Sequence, residues 1–510
     1  MQKQAKRMLY SGVIAAALLS PGYAAAAYSS GSDTGVGILD YIEINKRAAR
    51  ENALHEDQQE LLKDTAEMKQ HLQQPIDPTK NVPVSMEGDD LSYDEKTGAV
   101  YAKGNVRITQ IDAKRFTSDE ADGNLKTQDV DIEGKGHMLV LTPKEPKVRL
   151  DGYKTKYNYG TKTGTMEDLV GKVDNQYVTG ERAEFFPDEV VIYNGTATKC
   201  GAKKPHYYSK ARKIEIWPNK KMILTDVDTY LGPVRVYHKD RIVRNLGPDA
   251  KDPEYPRVGY DSDDGVWVSQ RFDQTIAPRV GLYEDLKYTG KWGFRSAVGA
   301  TWSNAGNSAA IHYGYFEDSN SHWIKKAPTF TYSYGHKLGH WPYSYGIGYE
   351  NGWWTNNNIH SNHTSYSISL SHDVIHFPKN FSLFLSTGYS ITDESYNHSR
   401  VKGFSYDGTL IKEFDNRWTG FIGYHYSANN SQSSLFNYNV NDYTKKLEAG
   451  FSYRFSDKDR IVIGQNYDME KKSLKDVDYY WYHDVHCAQV ILRYRAKRKI
   501  WNIMYQFTPW

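Results

Sequence analysis

The chain has 510 residues, which at about 100 to 200 residues per domain predicts two to four structural units. Its 64 Lys and Arg against 62 Asp and Glu give a net charge of +2, so composition gives no electrostatic argument for a nucleic-acid partner. The chain combines 41 Tyr, 12 Trp and 17 Phe with a mean hydropathy of −0.71. Such a composition suits a surface that meets a membrane interface through amphipathic rings while its other face stays polar.

The first 27 residues have the pattern of a secretory signal peptide. Lys3, Lys6 and Arg7 form a basic region, Met8 to Leu19 is a short apolar run, and Ala24 to Ala27 offer small-residue cleavage sites. An anchor helix is the weaker alternative, because the run falls short of the about 20 apolar residues that span a bilayer. We therefore expect the chain outside the cytoplasm, and integral to a membrane only as a closed barrel.

Residues 28–83 are predicted to be a helical segment and a linker. The stretch Ile38 to Gln73 is charged, and Leu54, Leu61 and Met68 at heptad spacing favour an amphipathic helix. Its role is open, although a solvated linker is favoured over a coiled-coil partner site because few heptads are sustained. Gln73 to Pro83, with three prolines, predicts the linker that follows.

Residues 84–243 change to short strand-like runs with an internal repeat of about 30 residues, long enough for two strands and two turns. Stacked units predict an elongated β-roll or β-jellyroll with an apolar inner face. Chance turn spacing in an ordinary sandwich stays open, because single glycines are weak markers. One phase of the repeat carries a small or apolar residue flanked by charges, of which the small ones are expected to face inward: Leu91, Ala121, Tyr153, Ala183 and Ala211. The other phase carries the predicted turn glycines Gly104, Gly134, Gly164 and Gly195.

Residues 244–510 contain longer runs that alternate strictly from about Pro256 onward. Lys446, Glu448 and Arg454, for example, interleave with Leu447 and Phe451. Strands of about ten residues with one apolar and one polar face are typical of a transmembrane antiparallel β-barrel. Counting the runs predicts about 14 to 16 strands.

A soluble sandwich would alternate in a similar way, so the positions of the aromatic residues decide between the two. Trp341, Trp353, Trp354 and Trp418 fall at predicted strand ends, as the aromatic girdles of membrane barrels do. The last strand leads to a terminal Trp510. An aromatic end of this kind suits the barrel-assembly machinery of outer membranes, which is therefore an expected partner.

Four sequence segments together carry a resemblance to a known family. They are Leu91–Gly98 leading to Tyr101–Ile108, Thr198–Cys200 followed by Ser209–Ile216, Tyr230–Tyr237, and Tyr482–Asp484 with Cys487. In these segments the chain resembles the LPS-assembly protein LptD (organic solvent tolerance protein OstA) family, of which it would be a short member. The first segment alone is shared with periplasmic bridge proteins of the same pathway.

The resemblance implies a translocon that moves lipopolysaccharide from the periplasm to the outer leaflet of the outer membrane. A periplasmic OstA-like β-roll would receive the lipid at its edge from an LptA-like bridge protein, because acyl chains in water cost about 0.8 kcal/mol per CH₂. The barrel would pass sugars through its lumen and release acyl chains sideways into outer-membrane lipid. An LptE-like lipoprotein plug is a further implied partner.

Sideways release requires a weak seam, which the resemblance locates between the first and last barrel strands. Prolines cannot donate a ladder hydrogen bond, so Pro256 and Pro278 are predicted to loosen it. The alternative is that these prolines mark turns or strand starts. The closing strand is predicted from Trp501, Ile503, Tyr505 and Phe507.

Cys200 and Cys487 are the two cysteines of the chain. An even pair in an exported chain favours a disulfide, and the positions match the interdomain bridge that the resemblance implies. Two free thiols are the alternative.

No catalytic, cofactor or metal site is predicted. His483 and Cys487 fall on one strand face and His486 on the other, so they do not converge on one ion, and the run from Asp261 to Gly265 favours a turn over a calcium loop. Phosphate-loop, nucleophile-elbow and dinucleotide motifs are not found where a strand would lead into a helix. Two functions therefore stay as alternatives to the translocon: a general outer-membrane porin or adhesin, and an enzyme acting on lipids at the barrel rim.

Overall fold

The computed structural model describes residues 34–51, 53–70, 83–142, 145–218, 220–246, 256–318, 322–428, 436, 438 and 441–507. The predicted signal peptide and most of the predicted linker lie outside these residues. The chain divides into two compact units, one that joins the residues up to Arg47 with Pro253–Thr508, and one that spans Ala48–Asp252. Neither of the two described helices is long and apolar enough to cross a membrane.

The sheet unit contains the end of helix α1, helix α2 and thirteen strands. The helices are α1 (Thr34–Glu51) and α2 (Glu56–Gln70). The strands are β1 (Val84–Glu87), β2 (Asp90–Tyr93), β3 (Ala99–Gln110), β4 (Lys114–Asn124), β5 (Asp129–Ile132), β6 (Gly136–Val140), β7 (Val148–Asn158), β8 (Thr163–Val173), β9 (Gln176–Phe185), β10 (Val190–Thr198), β11 (Tyr207–Trp217), β12 (Lys221–Leu231) and β13 (Val234–Asn245).

These strands form one antiparallel sheet that follows chain order. Its order is β1-β3-β4-β5-β7 and then consecutively to β13, with β2 on β3 and with β6 pairing both β4 and β7. One face of the sheet is buried and apolar, since Ile108, Phe116, Leu150, Ile192 and Leu224 are each at most 1% exposed and belong to one core cluster. The prediction of an all-β domain with an apolar inner face before the barrel is thus confirmed.

The three small residues of the first repeat phase face inward as predicted, because Ala121, Ala183 and Ala211 are at most 3% exposed. The two larger residues of this phase are exposed instead: Leu91 is 54% and Tyr153 is 46% exposed. Leu91 lies in a four-residue strand whose residues are all exposed. Tyr153 lies at a register shift in β7, where it and the following residue both point outward, because a bulge moves later side chains to the opposite face.

The predicted turn glycines are also mostly not in turns. Gly104, Gly164 and Gly195 lie inside β3, β8 and β10, and Gly134 lies between β5 and β6. Gly104 has φ +73° beside a register shift, so it forms a bulge where glycine carries little strain.

The helical prediction for residues 38–73 is corrected to two helices that are both packed. Leu61 on α2 is fully buried, so the heptad residue faces the protein. Asp57 accepts a bond from Arg149 at 3.1 Å, and Glu60 accepts one from Arg115 at 3.3 Å. The helix α2 is therefore attached to the sheet by charged contacts and is not a solvated linker.

The barrel unit contains the strands that follow. They are β14 (Arg257–Asp261), β15 (Gly265–Ala277), β16 (Val280–Thr289), β17 (Gly293–Phe294), β18 (Ala297–Asn304), β19 (Asn307–Glu317), β20 (Trp323–Lys337), β21 (Tyr343–Asn356), β22 (Ile359–His372), β23 (Ile375–Phe377), β24 (Phe381–Glu394), β25 (Ser399–Glu413), β26 (Trp418–Ser427), β27 (Lys445–Arg454), β28 (Asp459–Asp468), β29 (Ser473–Val485), β30 (Ala488–Arg495) and β31 (Ile500–Phe507).

These strands close into an antiparallel barrel of 16 strands, with β17 and β23 as short side segments. The count confirms the upper end of the predicted range. The exterior is apolar and aromatic, since Tyr366, Ile368, Phe404, Trp418 and Trp481 are 37–63% exposed. Closure gives every full barrel strand a hydrogen-bonded neighbour on both sides, as a barrel in hydrocarbon requires.

One of the predicted girdle tryptophans faces inward. Trp341, Trp353 and Trp418 are 41–69% exposed, whereas Trp354 is 3% exposed. Its ring stacks on the ring of His363 with centroids 3.6 Å apart. Adjacent strand residues point to opposite faces, so Trp353 and Trp354 cannot both belong to an outer girdle.

Candidate functional site

The wall of the barrel lumen is charged along β26 to β29. Lys446 and Glu448 are each 1% exposed, which confirms that the polar residues of the alternating pattern face inward. His425 lies between two carboxylates, with Nδ1 2.8 Å from Asp407 and Nε2 3.1 Å from Glu448. Such a wall suits a polar lumen behind an apolar exterior.

A second group of charges involves β29, β30, the turn after β30 and the residues before β27. Arg498 lies 3.0 Å from Asp442 and 3.4 Å from Asp476, and Arg493 lies 3.2 Å from Asp478. Each cation in this group therefore has an anion within reach. The group is a network of ion pairs, which holds the wall strands together.

The first helix fills part of this lumen. Its N-terminal residues Val36, Ile38 and Leu39 are at most 5% exposed and form one apolar cluster with Phe421 and Val462 of the barrel wall. These contacts bring apolar side chains into a lumen that is otherwise polar. The segment from Thr34 to Arg47 therefore belongs to the barrel.

The same helix also presents charged residues to the wall, and each of them meets a wall side chain of opposite sign. Asp40 pairs with Arg460, Glu43 pairs with Arg454, and Lys46 pairs with Glu413. Arg47 pairs with Asp484 at 2.5 Å, and its guanidinium also donates to the His486 carbonyl at 3.0 Å. The described helix is thus held in the lumen by both apolar packing and ion pairs.

The lumen is less filled along β21 and β22. Ser367 and Ser369 face inward and are exposed, and they stand opposite Gly348 and Gly346. Small side chains on both strands keep this side of the lumen open. The arrangement leaves a hydroxyl-lined strip along β21 and β22.

The barrel closes through a short ladder between its first and last strands. The β14–β31 ladder contains four residue pairs, Val258 with Tyr505 through Asp261 with Asn502. The β21–β22 ladder, in comparison, contains fourteen. Apart from the ladders of the short β17 and β23, this seam has the fewest pairs among the described barrel ladders, one fewer than the β14–β15 ladder. Because backbone hydrogen bonds hold a sheet together, it is the weakest of these ladders in backbone pairing.

The structure brings the predicted gate residues together only in part. Trp501, Ile503 and Tyr505 lie on β31, and the Ile503 side chain is 42% exposed on the outer face. The side chain of Phe507 is outside the described part of the chain. The predicted positions of Pro256 and Pro278 within the first strands are corrected: Pro256 precedes β14, and Pro278 lies in the turn after β15. The two prolines therefore mark a strand start and a turn, which was the alternative interpretation. The seam is short because β14 is short.

The disulfide prediction is confirmed, since Cys200 and Cys487 are bonded to each other. Two of the residues before Cys487 contact charged side chains elsewhere in the barrel unit. His483 pairs with Asp459 at 2.8 Å, whereas Asp484 binds the helix residue Arg47. The predicted turn at Asp261 is confirmed too, because its carboxylate accepts the Asp263 amide at 2.9 Å.

Lys114 is a buried charged residue of the sheet unit that lies beside the apolar core. Lys114 is fully buried, donates to the Tyr157 hydroxyl at 2.7 Å and lies 3.2 Å from Glu145. Burial, followed by the nearby Glu145 carboxylate, raises the pKa of Tyr157. The hydroxyl therefore stays neutral and can accept the bond from Lys114.

Sequence reasoning missed the residues of the helix that enter the lumen. Asp40 and its partner Arg460 are 420 positions apart, and no local pattern links them. One signal was available, because the helix segment alternates acids and bases at positions that share a face.

Comparisons with known proteins give no family for this chain. No family model matches, and no curated protein matches. Among solved structures, a triple mutant of the Rh. blastica porin matches at a TM-score of 0.30 and 8% identity, over 50% of this chain and 98% of the porin. OmpF of Salmonella typhi in complex with daunomycin matches at 0.27 and 12%, over 49% and 96%. An anion-selective porin from Comamonas acidovorans matches at 0.25 and 10%, over 49% and 95%.

Proposed function

We propose that this chain is a lipopolysaccharide translocon of the outer membrane, which passes the lipid from a periplasmic sheet domain to the outer leaflet through a lateral gate. The proposal joins the family resemblance of the sequence to the geometry of the barrel. Its gate is the seam between β14 and β31.

The observation that carries the proposal is the length of this seam. A lipid with a large sugar part can leave a barrel only if the wall opens, because acyl chains belong in the bilayer while sugars belong in the lumen. Opening breaks the backbone hydrogen bonds of one ladder. Four residue pairs at the β14–β31 ladder make it the cheapest place to open.

The sheet unit supports the proposal through its inner face and its edges. Its interior is continuously apolar, and Phe116 and Leu150 within it are fully buried, so acyl chains would bind there by parting its packed side chains. Its order ends at β1 and at β13. An edge strand presents unpaired backbone groups that can extend a bridge by strand addition, so an LptA-like protein would dock at one of these edges.

A general porin is a weaker fit to the lumen. A porin requires an open aqueous channel, whereas the apolar cluster around Val36 and Phe421 and the charged contacts of Asp40 occupy part of this lumen. A barrel enzyme would require a nucleophile and base at the rim. His483 pairs instead with Asp459 on the strand beside it.

Depletion of the protein tests the proposal. We expect depleted cells to lose newly made lipopolysaccharide from the surface, measured by protease-independent surface labelling of its sugars, and to accumulate it inside the envelope. An unrelated outer-membrane barrel, assayed for assembly in the same cells, controls for general envelope damage. Normal surface lipopolysaccharide after depletion would remove the transport function and leave the barrel assignment intact.

A further inference from the structure

Two arginines of the lumen wall lie directly opposite each other on neighbouring strands. Arg454 and Arg460 are a directly opposite pair on β27 and β28, and they are 9% and 4% exposed. Like charges directly opposite in a ladder destabilise it, and buried charges need partners. The wall itself offers one carboxylate, Asp484 of β29, which lies 3.8 Å from Arg454 and is shared with Arg47. The two arginines therefore require further negative charge from another segment.

The first helix supplies that charge. Asp40 pairs with Arg460 and Glu43 with Arg454, and one helical turn separates the two carboxylates so that they lie on one face. The Asp40 carboxylate also accepts a hydrogen bond from the Tyr482 hydroxyl at 2.7 Å. The spacing of acids on the helix thus matches the spacing of the arginines on the wall.

The contact surface is also shaped for close approach. A Cβ at Gly35 would lie 2.0 Å from the Phe421 ring, and one at Gly464 would lie 3.0 Å from the Val36 side chain. Glycine therefore stands on the helix and on the wall at places where a larger residue would push them apart. The interface between α1 and the wall is therefore complementary in both shape and charge.

We propose that α1 is an intrinsic plug, held in the lumen by Arg454 and Arg460, which restricts the barrel to ions and small solutes. The inference goes beyond lipid transport, because it concerns closure of the lumen whatever the cargo. In this proposal α1 takes the place in the lumen that the family resemblance assigns to a separate LptE-like lipoprotein. The open strip near Ser367 accounts for the small solutes that still pass.

Single-channel conductance of the full chain in planar bilayers tests the plug. We expect Arg454→Glu with Arg460→Glu to raise the conductance several-fold, because Asp40 and Glu43 would then meet like charges. Adding Asp40→Arg and Glu43→Arg should return it to the original value. Arg498→Glu is the control: this arginine lies in the turn between β30 and β31 and pairs with Asp442 and Asp476, which lie outside α1, so its change should leave the conductance unchanged.

Unchanged conductance in the double wall variant, failure of the compensating changes, or an equal rise in the control would overturn the plug. A second measurement covers the case in which the wall variant does not fold. Val36→Cys with Gly464→Cys should form a disulfide, detected as a linked peptide by mass spectrometry. Absence of that peptide in folded, heat-modifiable barrels would equally contradict a helix in the lumen.

Discussion

Asp40 on the first helix forms an ion pair with Arg460 on the barrel wall, and its second carboxylate oxygen accepts the Tyr482 hydroxyl at 2.7 Å. Arg460 is 4% exposed, so its charge is compensated mainly by a residue far away in the sequence. The position of the helix therefore depends on the charge of Arg460. A substitution at Asp40 should change that position in a way that can be measured.

Asp40→Asn should loosen the helix. The change keeps the side-chain shape but leaves Arg460 buried without its anion, which costs about 1 to 3 kcal/mol. Because 1.4 kcal/mol is about tenfold in an equilibrium, we expect amide exchange in residues 36–47 to speed up about tenfold or more, measured by mass spectrometry in micelles. Glu413→Gln is the control, since its pair with Lys46 is 31–37% exposed and such pairs contribute about 0 to 1 kcal/mol. Equal exchange in the two variants would contradict the anchoring role of Asp40.

Attachment of α2 to the sheet should depend on acid pH. Partial burial raises the pKa of Asp57, but the Arg149 guanidinium, the Gln58 amide and His137 together hold it below its ordinary value of 3.8. A carboxyl whose pKa is lowered in the folded state stabilises that state fully above its unfolded pKa and loses the contribution as pH falls through the folded pKa. Amide exchange of residues 58–70, relative to that of β9, should therefore accelerate as pH drops below 3.8.

The Asp57→Asn variant is the control for this pH effect. It should exchange faster than the unaltered chain at neutral pH and show a smaller change below pH 3.8. The same acid response in both chains would assign the pH dependence to other carboxylates, such as Glu60 with Arg115.

Lys114→Ala should destabilise the sheet unit. The substitution leaves the Glu145 carboxylate and the buried Tyr157 hydroxyl with a lost partner, and breaking a buried pair costs about 3 to 5 kcal/mol. Protease resistance of residues 83–246 in the full chain, titrated with urea, measures the change. Lys103→Ala removes a lysine that is 57% exposed beside Glu120 and should cost less than about 1 kcal/mol. Similar urea midpoints for the two variants would show that the buried pair contributes little.

The alternation of polar and apolar residues was enough to predict the barrel. Lys446 and Leu447 point to opposite faces because strand side chains alternate, and this rule needs no tertiary information. The same rule fails at Tyr153, where a bulge in β7 shifts the face. It also cannot separate Trp354 from Trp353, because both fit a strand end while one of them packs against His363.

The plug and the seam depended on long-range information. Nothing near Asp40 in the sequence indicates Arg460, since the pairing arises only when the barrel has closed. The weakness of the seam was expected from Pro256, yet it follows from the shortness of β14. Strand boundaries are the least reliable part of any sequence interpretation, and the number of residue pairs in the seam is set by where β14 begins and ends.

Two disulfide variants can be built from one residue of the closing strand, Ile503, with a partner on the neighbouring strand on either side. Ile503 on β31 stands opposite Tyr260 across the seam and opposite Leu492 across the β30–β31 ladder. Directly opposite strand residues are close enough for a disulfide to form. Tyr260→Cys with Ile503→Cys would therefore lock the seam, and Leu492→Cys with Ile503→Cys would add the same kind of bond while leaving the seam free.

Surface lipopolysaccharide in cells that carry these two variants is the most direct measurement of the gate. The account predicts that the seam-locked chain, once its bond has formed, no longer delivers new lipopolysaccharide to the surface, while the control and the two seam single variants do. Normal delivery through a barrel whose Tyr260→Cys and Ile503→Cys are fully cross-linked would contradict a gate between β14 and β31.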